Sequence, residues 1–219
     1  MKTAKKAMLL TVCALVLVAA TVMGTMAFLT DKDAVTNTFI AGKLVEKDED
    51  FVLDESEYKR NADTGAYVAT GDRTQANEYT VVPGKNLPKD PQVSVKVKEN
   101  AYLYLEVVNT LPAGMTFEID GTKWVPLQDK GGHDVVKGNN KIYVPVTGML
   151  KPSESATVIQ ILKDNVVKVT DSFDPSTLTV SPEGVKNTLA FNAYLIQATS
   201  ETYSDEFGGW NALLAELGK

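Results

Sequence analysis

Gln92-Val93-Ser94-Val95-Lys96-Val97-Lys98, followed after Asn100 by Ala101-Tyr102-Leu103-Tyr104-Leu105-Glu106-Val107-Val108-Asn109, decides the fold class. The first stretch alternates polar and apolar residues, the period of a strand with one buried face. The second is rich in aromatic and β-branched residues, as in a strand covered on both faces along part of its length. Leu111-Pro112-Ala113-Gly114 then turns the chain. Further strand patterns occupy 115–119, 123–127, 141–146, 156–162 and 187–198. Gly121, Gly131-Gly132, Gly138-Asn139-Asn140, Pro152 and Pro182 fall between them, where turns are needed. Many short strands separated by turn signals predict an all-β antiparallel sandwich or barrel, not a parallel α/β sheet.

The link before these strands, Val81-Val82-Pro83-Gly84-Lys85-Asn86-Leu87-Pro88-Lys89-Asp90-Pro91, is dense in turn chemistry. Pro83-Gly84 suits the centre of a type II turn, because proline fixes φ and glycine accepts positive φ. Residues 46–77 are polar and acid-rich at the start, with Glu46, Asp48, Glu49, Asp50, Asp54, Glu55 and Glu57, and read as a solvated acidic loop or insertion. Residues 200–217 place Tyr203, Phe207, Trp210, Leu213, Leu214 and Leu217 at helical spacing, with Ser204 as the expected cap. A short C-terminal helix packed on the β domain is expected there.

The N-terminus has the layout of a secretory signal peptide. Lys2, Lys5 and Lys6 precede an apolar run from Ala7 to Ala20, and the small residues Thr25 and Ala27 predict cleavage before Phe28. Residues 28–219 then form the single domain. Cys13, the lone cysteine, lies inside the apolar run, so the exported chain would have neither disulfide nor thiol chemistry. The whole chain carries a net charge of −6, and removing three leader lysines makes the remainder more acidic. That balance argues against nucleic acid or an anionic membrane as partner. Phe28-Leu29-Thr30-Asp31 and Thr36-Asn37-Thr38-Phe39-Ile40-Ala41-Gly42-Lys43-Leu44 read as an N-terminal strand, 28–44, that starts almost at the new terminus.

Few catalytic constellations can be built from the sequence: a carboxylate pair for glycoside hydrolysis stays open because acids are spread throughout, but nothing singles out a pair. His133, in Lys130-Gly131-Gly132-His133-Asp134, is the single histidine. A zinc hydrolase of the His-Glu-x-x-His kind needs two imidazoles one helical turn apart. No Gly-x-Ser-x-Gly elbow and no phosphate-cradling glycine loop is present, so His133 reads as a surface loop residue. Asp31-Lys32-Asp33 and Asp48-Glu49-Asp50 are acid clusters, but neither fits the twelve-residue calcium loop. No cofactor, metal or small-molecule substrate is expected, and no enzyme activity.

The block Gly24-Thr25-Met26-Ala27-Phe28-Leu29-Thr30-Asp31 with Thr36 to Leu44 resembles the TasA/camelysin family of exported bacterial proteins. Pro83-Gly84-Lys85-Asn86-Leu87-Pro88-Lys89-Asp90 and the two strands after it resemble the family's second recurring block. The strand from Leu189 to Ala198 and Trp210 look like clostridial-type members. The resemblance implies a jelly-roll sandwich, processing by a SipW-type signal peptidase, and a role as a biofilm matrix fibre subunit. It further implies that the N-terminal strand leaves its own subunit and completes the sheet of the next. Phe28, Leu29, Phe39, Ile40 and Leu44 are then the expected apolar anchors of a head-to-tail homo-oligomer, with other matrix proteins as further partners. For the soluble monomer, the strand is expected to pair within its own subunit. Two alternatives stay open: a matrix or surface binding module, using 46–77 or the sandwich loops, and a camelysin-like metallopeptidase, for which the necessary ligands are missing.

Overall fold

The computed structural model describes residues 28–30, 38–40, 44–45, 47–178, 180–181, 184–185, 187–198 and 205–218. The proposed leader, with Thr25 and Ala27, lies outside them, as does the expected cap Ser204. In chain order the strands begin with β1 (Phe28–Thr30), β2 (Thr38–Ile40), β3 (Phe51–Arg60), β4 (Tyr67–Thr74) and β5 (Glu78–Thr80). Next come β6 (Leu87–Pro88), β7 (Gln92–Val95), β8 (Ala101–Asn109), β9 (Met115–Thr116), β10 (Trp124–Pro126) and β11 (Val136–Lys137). The remainder are β12 (Asn140–Pro145), β13 (Thr157–Gln160), β14 (Val166–Val169), β15 (Val180–Ser181), β16 (Gly184–Val185) and β17 (Leu189–Gln197). A single α-helix among the described residues, α1 (Glu206–Leu217), follows.

Two sheets form the sandwich. One has the order β10-β12-β8-β17-β2, with β11 folded back on β12. The other runs β13-β7-β3-β4. Their inner faces follow from alternation. Ala101, Leu103, Leu105 and Val107 of β8 and Leu189, Phe191, Ala193 and Leu195 of β17 share one core with Phe51, Leu53, Val93 and Val95. The fold is an all-β, jelly-roll-like sandwich in which, among the described residues, every sheet pairing is antiparallel except β2 with β17. At one end Trp124 Nε1 donates to the Gln160 carbonyl, 2.9 Å away, and ties β10 of one sheet to β13 of the other.

The six-stranded sheet is covered on its outer face too. Tyr102, Tyr104, Ile142, Val144, Tyr194 and Ile196 pack there against Trp210 and Leu213 of α1. This second core explains why seven successive residues of β8, 101–107, are buried. Asp205 caps α1 by accepting from the Gly208 amide at 2.7 Å, so the helix begins after the expected 200. Gly209 sets the depth of the contact: a Cβ there would collide with the Tyr104 hydroxyl and the Tyr102 ring. Tyr104 in turn donates to the Glu206 carbonyl at 2.7 Å.

The turn expected at Pro83-Gly84 is present. The Lys85 amide donates to the Val82 carbonyl at 3.0 Å, and Gly84 has φ of +72°, as a type II turn requires. The acidic stretch corrects the sequence reading. Within 46–77 the chain forms a 3-10 turn at Asp48–Asp50 and then the β3–β4 hairpin, and β3 pairs with β7 along Phe51 to Asp54. The physical reason is that Phe51, Leu53 and Glu55 occupy successive inward positions, and the buried Glu55 carboxylate meets the buried Lys89 ammonium at 3.2 Å.

Candidate functional site

The N-terminal residues are split between two places. Phe28 and Leu29 lie in β1, in antiparallel register with Thr80 and Tyr79 of β5. Phe39 and Ile40 lie in β2, in parallel register with Leu195 and Ile196 of β17. The expected continuous strand 28–44 is therefore two three-residue strands. Residues 31–37 and 41–43, with Asp31-Lys32-Asp33, lie outside the described residues. Leu44 belongs to neither strand. It is buried in the main core, and its carbonyl accepts from the Lys98 amide at 3.0 Å. Leu44 therefore fixes the chain to its own sandwich.

The edge that receives β2 is unequal on its two sides. Towards β8, β17 is registered along all nine of its residues, Leu189 to Gln197. Towards β2, among the described residues, it is registered from Tyr194 to Ile196. Removing β2 would uncover backbone groups along a strand whose other edge is fully paired, which is a template for another strand.

The outer face of the same sheet carries a buried polar cluster that the sequence reading missed. Glu106 of β8 is 3% exposed and sits opposite Asn192 on β17 and Ile142 on β12. Its Oε2 accepts from Lys137 Nζ at 3.0 Å, Asn192 Nδ2 at 3.2 Å and the Tyr194 hydroxyl at 2.6 Å. Its Oε1 accepts from Asn140 Nδ2 at 2.6 Å. Burial pushes the carboxyl up, but the hydrogen bonds from Tyr194, Asn140, Lys137 and Asn192 outweigh it and hold the carboxyl below its ordinary range. Burial likewise lowers the Lys137 ammonium, while Tyr194 and Glu106 outweigh that and raise it. The Lys137 ammonium also lies 5.1 Å from the centroid of the Tyr194 ring.

A second polar set organises the hairpin. The β3–β4 register shifts between Ser56 and Tyr58: Ser56 faces Arg73 and Tyr58 faces Ala69, so the extra residues bulge from β4. On the β7 side of β3, beyond the last β7 pair at Asp54, the side chain of Asn77 continues the ladder, accepting from the Tyr58 amide at 2.7 Å and donating to the Ser56 carbonyl at 2.8 Å. Asp90 accepts from the Ser56 amide and hydroxyl, and Arg73 pairs with Asp54 at 2.7 Å. Between the hairpin and the 164–166 turn runs a groove of about 600 Å³, lined in part by Arg60, Tyr67, Lys85, Asn86 and Asp164.

His133 is exposed and stands in a turn closed by Asp129, whose Oδ1 accepts from the amides of Gly131 and His133. In the Asp48-Glu49-Asp50 cluster, Glu49 pairs with Lys47 at 3.1 Å and Asp50 accepts from the Lys47 amide. Among the described residues no three His, Cys, Asp or Glu side chains are grouped to hold a metal ion. Among them, too, no helix is long and apolar enough to cross a membrane.

The molecule is thus an antiparallel β-sandwich with a short N-terminal strand on the edge of one sheet. No family model, curated protein or solved structure matches the chain.

Proposed function

We propose that this chain is an exported, non-enzymatic structural subunit that assembles head-to-tail into extracellular matrix fibres by donating its N-terminal strand. One observation carries the reading: among the described residues β2 lies on the β17 edge through a three-residue parallel register. Each backbone hydrogen bond there is worth about 1 kcal/mol net, so releasing β2 costs on the order of 2–3 kcal/mol in backbone bonding. An identical segment of a second copy would restore the same bonds. Exchange is then nearly neutral per bond, and the gain comes from whatever the longer intersubunit contact adds. Because donor and acceptor are different surfaces, the contact does not close on itself and propagates as a filament. Export by a SipW-type peptidase would free the donor by cutting before Phe28.

The test is Phe39→Asp with Ile40→Asp, followed by sedimentation velocity and electron microscopy. The reading expects a folded monomer that does not polymerise; fibres indistinguishable from those of the parent would exclude β2 as the donor. A binding module is the second reading, favoured by the groove beside the hairpin with its Arg60 and Lys85 cations and Tyr67 ring. It expects a stable monomer that captures a matrix carbohydrate or protein and loses it on Tyr67→Ala.

A further inference from the structure

We propose that Lys137 and Asn192 become joined by an isopeptide bond within the chain, with Glu106 moving the protons. The proposal does not depend on the fibre reading. Three chemical requirements meet at one point: an amine nucleophile, a carboxamide carbon, and a buried carboxylate in contact with both nitrogens. Lys137 Nζ and Asn192 Nδ2 converge on the same oxygen, Glu106 Oε2, at 3.0 and 3.2 Å. Asn140 is bound to the other oxygen, Oε1. The three partners come from separate elements. Glu106 is on β8, Asn192 stands opposite it on β17, and Lys137 closes the β11–β12 hairpin by pairing with Asn140.

The setting favours the step. Tyr104, Ile142, Tyr194 and Trp210 line the outer core on this face, and Glu106 is almost wholly excluded from water. In such a medium, proton transfer within the Lys–Glu pair replaces the buried Glu106 charge and the partly exposed Lys137 charge by a neutral acid and a neutral amine. The resting pair is charged, so reaction proceeds through this minor neutral form and is slow and single-turnover.

The steps balance without any co-reactant. Glu106 takes a proton from the Lys137 ammonium, and the freed lone pair attacks Cγ of Asn192. A new Cγ–Nζ bond forms. The tetrahedral centre then collapses by breaking Cγ–Nδ2, with Glu106 protonating the departing nitrogen and accepting a proton from Nζ. The products are a secondary amide, ammonia and a protonated Glu106, which passes its proton to the ammonia. Nothing is oxidised or reduced, and the protein loses one positive charge. The bond would fasten the β11–β12 hairpin to β17, the strand that also carries the β2 edge.

The experiment is intact-mass spectrometry of the purified full chain, with tryptic peptide mapping. The expected result is a mass lower than the sequence mass by one ammonia, and a branched peptide linking the segment that contains Lys137 to the one that contains Asn192. A folded chain at full sequence mass overturns the proposal, and a branch through Asn140 overturns the choice of Asn192. Glu106→Gln, isosteric and still able to hydrogen-bond, is expected to fold and to keep the full mass; a retained deficit would overturn the role of Glu106. Lys137→Arg keeps the cation and should also show the full mass.

Discussion

Replacing Lys89 by Met removes the ammonium that meets the Glu55 carboxylate inside the sandwich, and the consequence can be worked from the structure. Both side chains are about 95% buried, with 5% of Lys89 and 4% of Glu55 exposed, and Nζ stands 3.2 and 3.4 Å from the two carboxylate oxygens. Removing one member of a buried pair costs about 3–5 kcal/mol, because the partner stays desolvated without compensation. Replacing both by apolar residues of similar volume is neutral or even stabilising. Lys89→Met should therefore lose about 3–5 kcal/mol, or roughly 6–20 °C in Tm for a domain of this size. Glu55→Met with Lys89→Met should recover nearly all of it. Urea unfolding followed by circular dichroism, with all four members of the cycle at constant m, measures the coupling. A loss below about 1 kcal/mol for Lys89→Met would refute the reasoning, since it is the value of a solvent-screened surface pair.

Gly209→Ala should destabilise by about 1–3 kcal/mol, because its Cβ is forced into the Tyr104 hydroxyl and Tyr102 ring. Near-ultraviolet circular dichroism should show the altered tyrosine and Trp210 packing. Gly84→Ala should cost about 1–3 kcal/mol from the left-handed φ alone, before its contact with the Asp171 carboxylate; thermal melts check this. The Asp129 carboxyl is held below its ordinary range by the His133 amide first, with slight burial opposing and the Gly131 amide assisting. A depressed carboxyl contributes stability above the ordinary aspartate range and loses it as pH falls through the depressed value. Side-chain NMR titration should place Asp129 below a model aspartate, and the 129–133 turn should loosen only beneath that pH.

The sandwich was legible because its principal strands obey simple rules. β8 occupies the Ala101 to Asn109 span expected of it, and its two-faced burial follows from positions 101–108, which are all apolar or aromatic except Glu106. Alternation likewise marked β7, and the Pro83-Gly84 turn was fixed by φ alone. The hairpin was not legible. Glu55 continues the inward series of Phe51 and Leu53, but an acid at a core position reads as solvent-facing unless its counter-ion is known. That counter-ion is 34 residues away in the chain. The same blindness applied to Glu106, which looks like an exception within a hydrophobic strand. Its donors come from the β11–β12 hairpin and from β17, so only the register of Asn192 with Glu106 reveals the cluster.

The N-terminal segment taught a different lesson. Its apolar pairs were recognised, yet period and composition could not say that Phe28-Leu29 and Phe39-Ile40 seek different partners. Nor could they show that Leu44 is anchored in its own core, where a buried side chain and the Lys98 hydrogen bond hold it. In the proposed strand exchange, that anchor puts the point of departure before Leu44.

Electron microscopy of the chain beginning at Phe28, beside a version beginning at Leu44, tests the central claim most directly. Both retain the Leu44 anchor and the two-sheet core, and they differ by the β1 and β2 segments. The account predicts filaments from the longer protein and single particles from the shorter one, with filaments capped when the shorter chain is added as an acceptor without a donor. Filaments of the same form from both proteins would contradict strand donation.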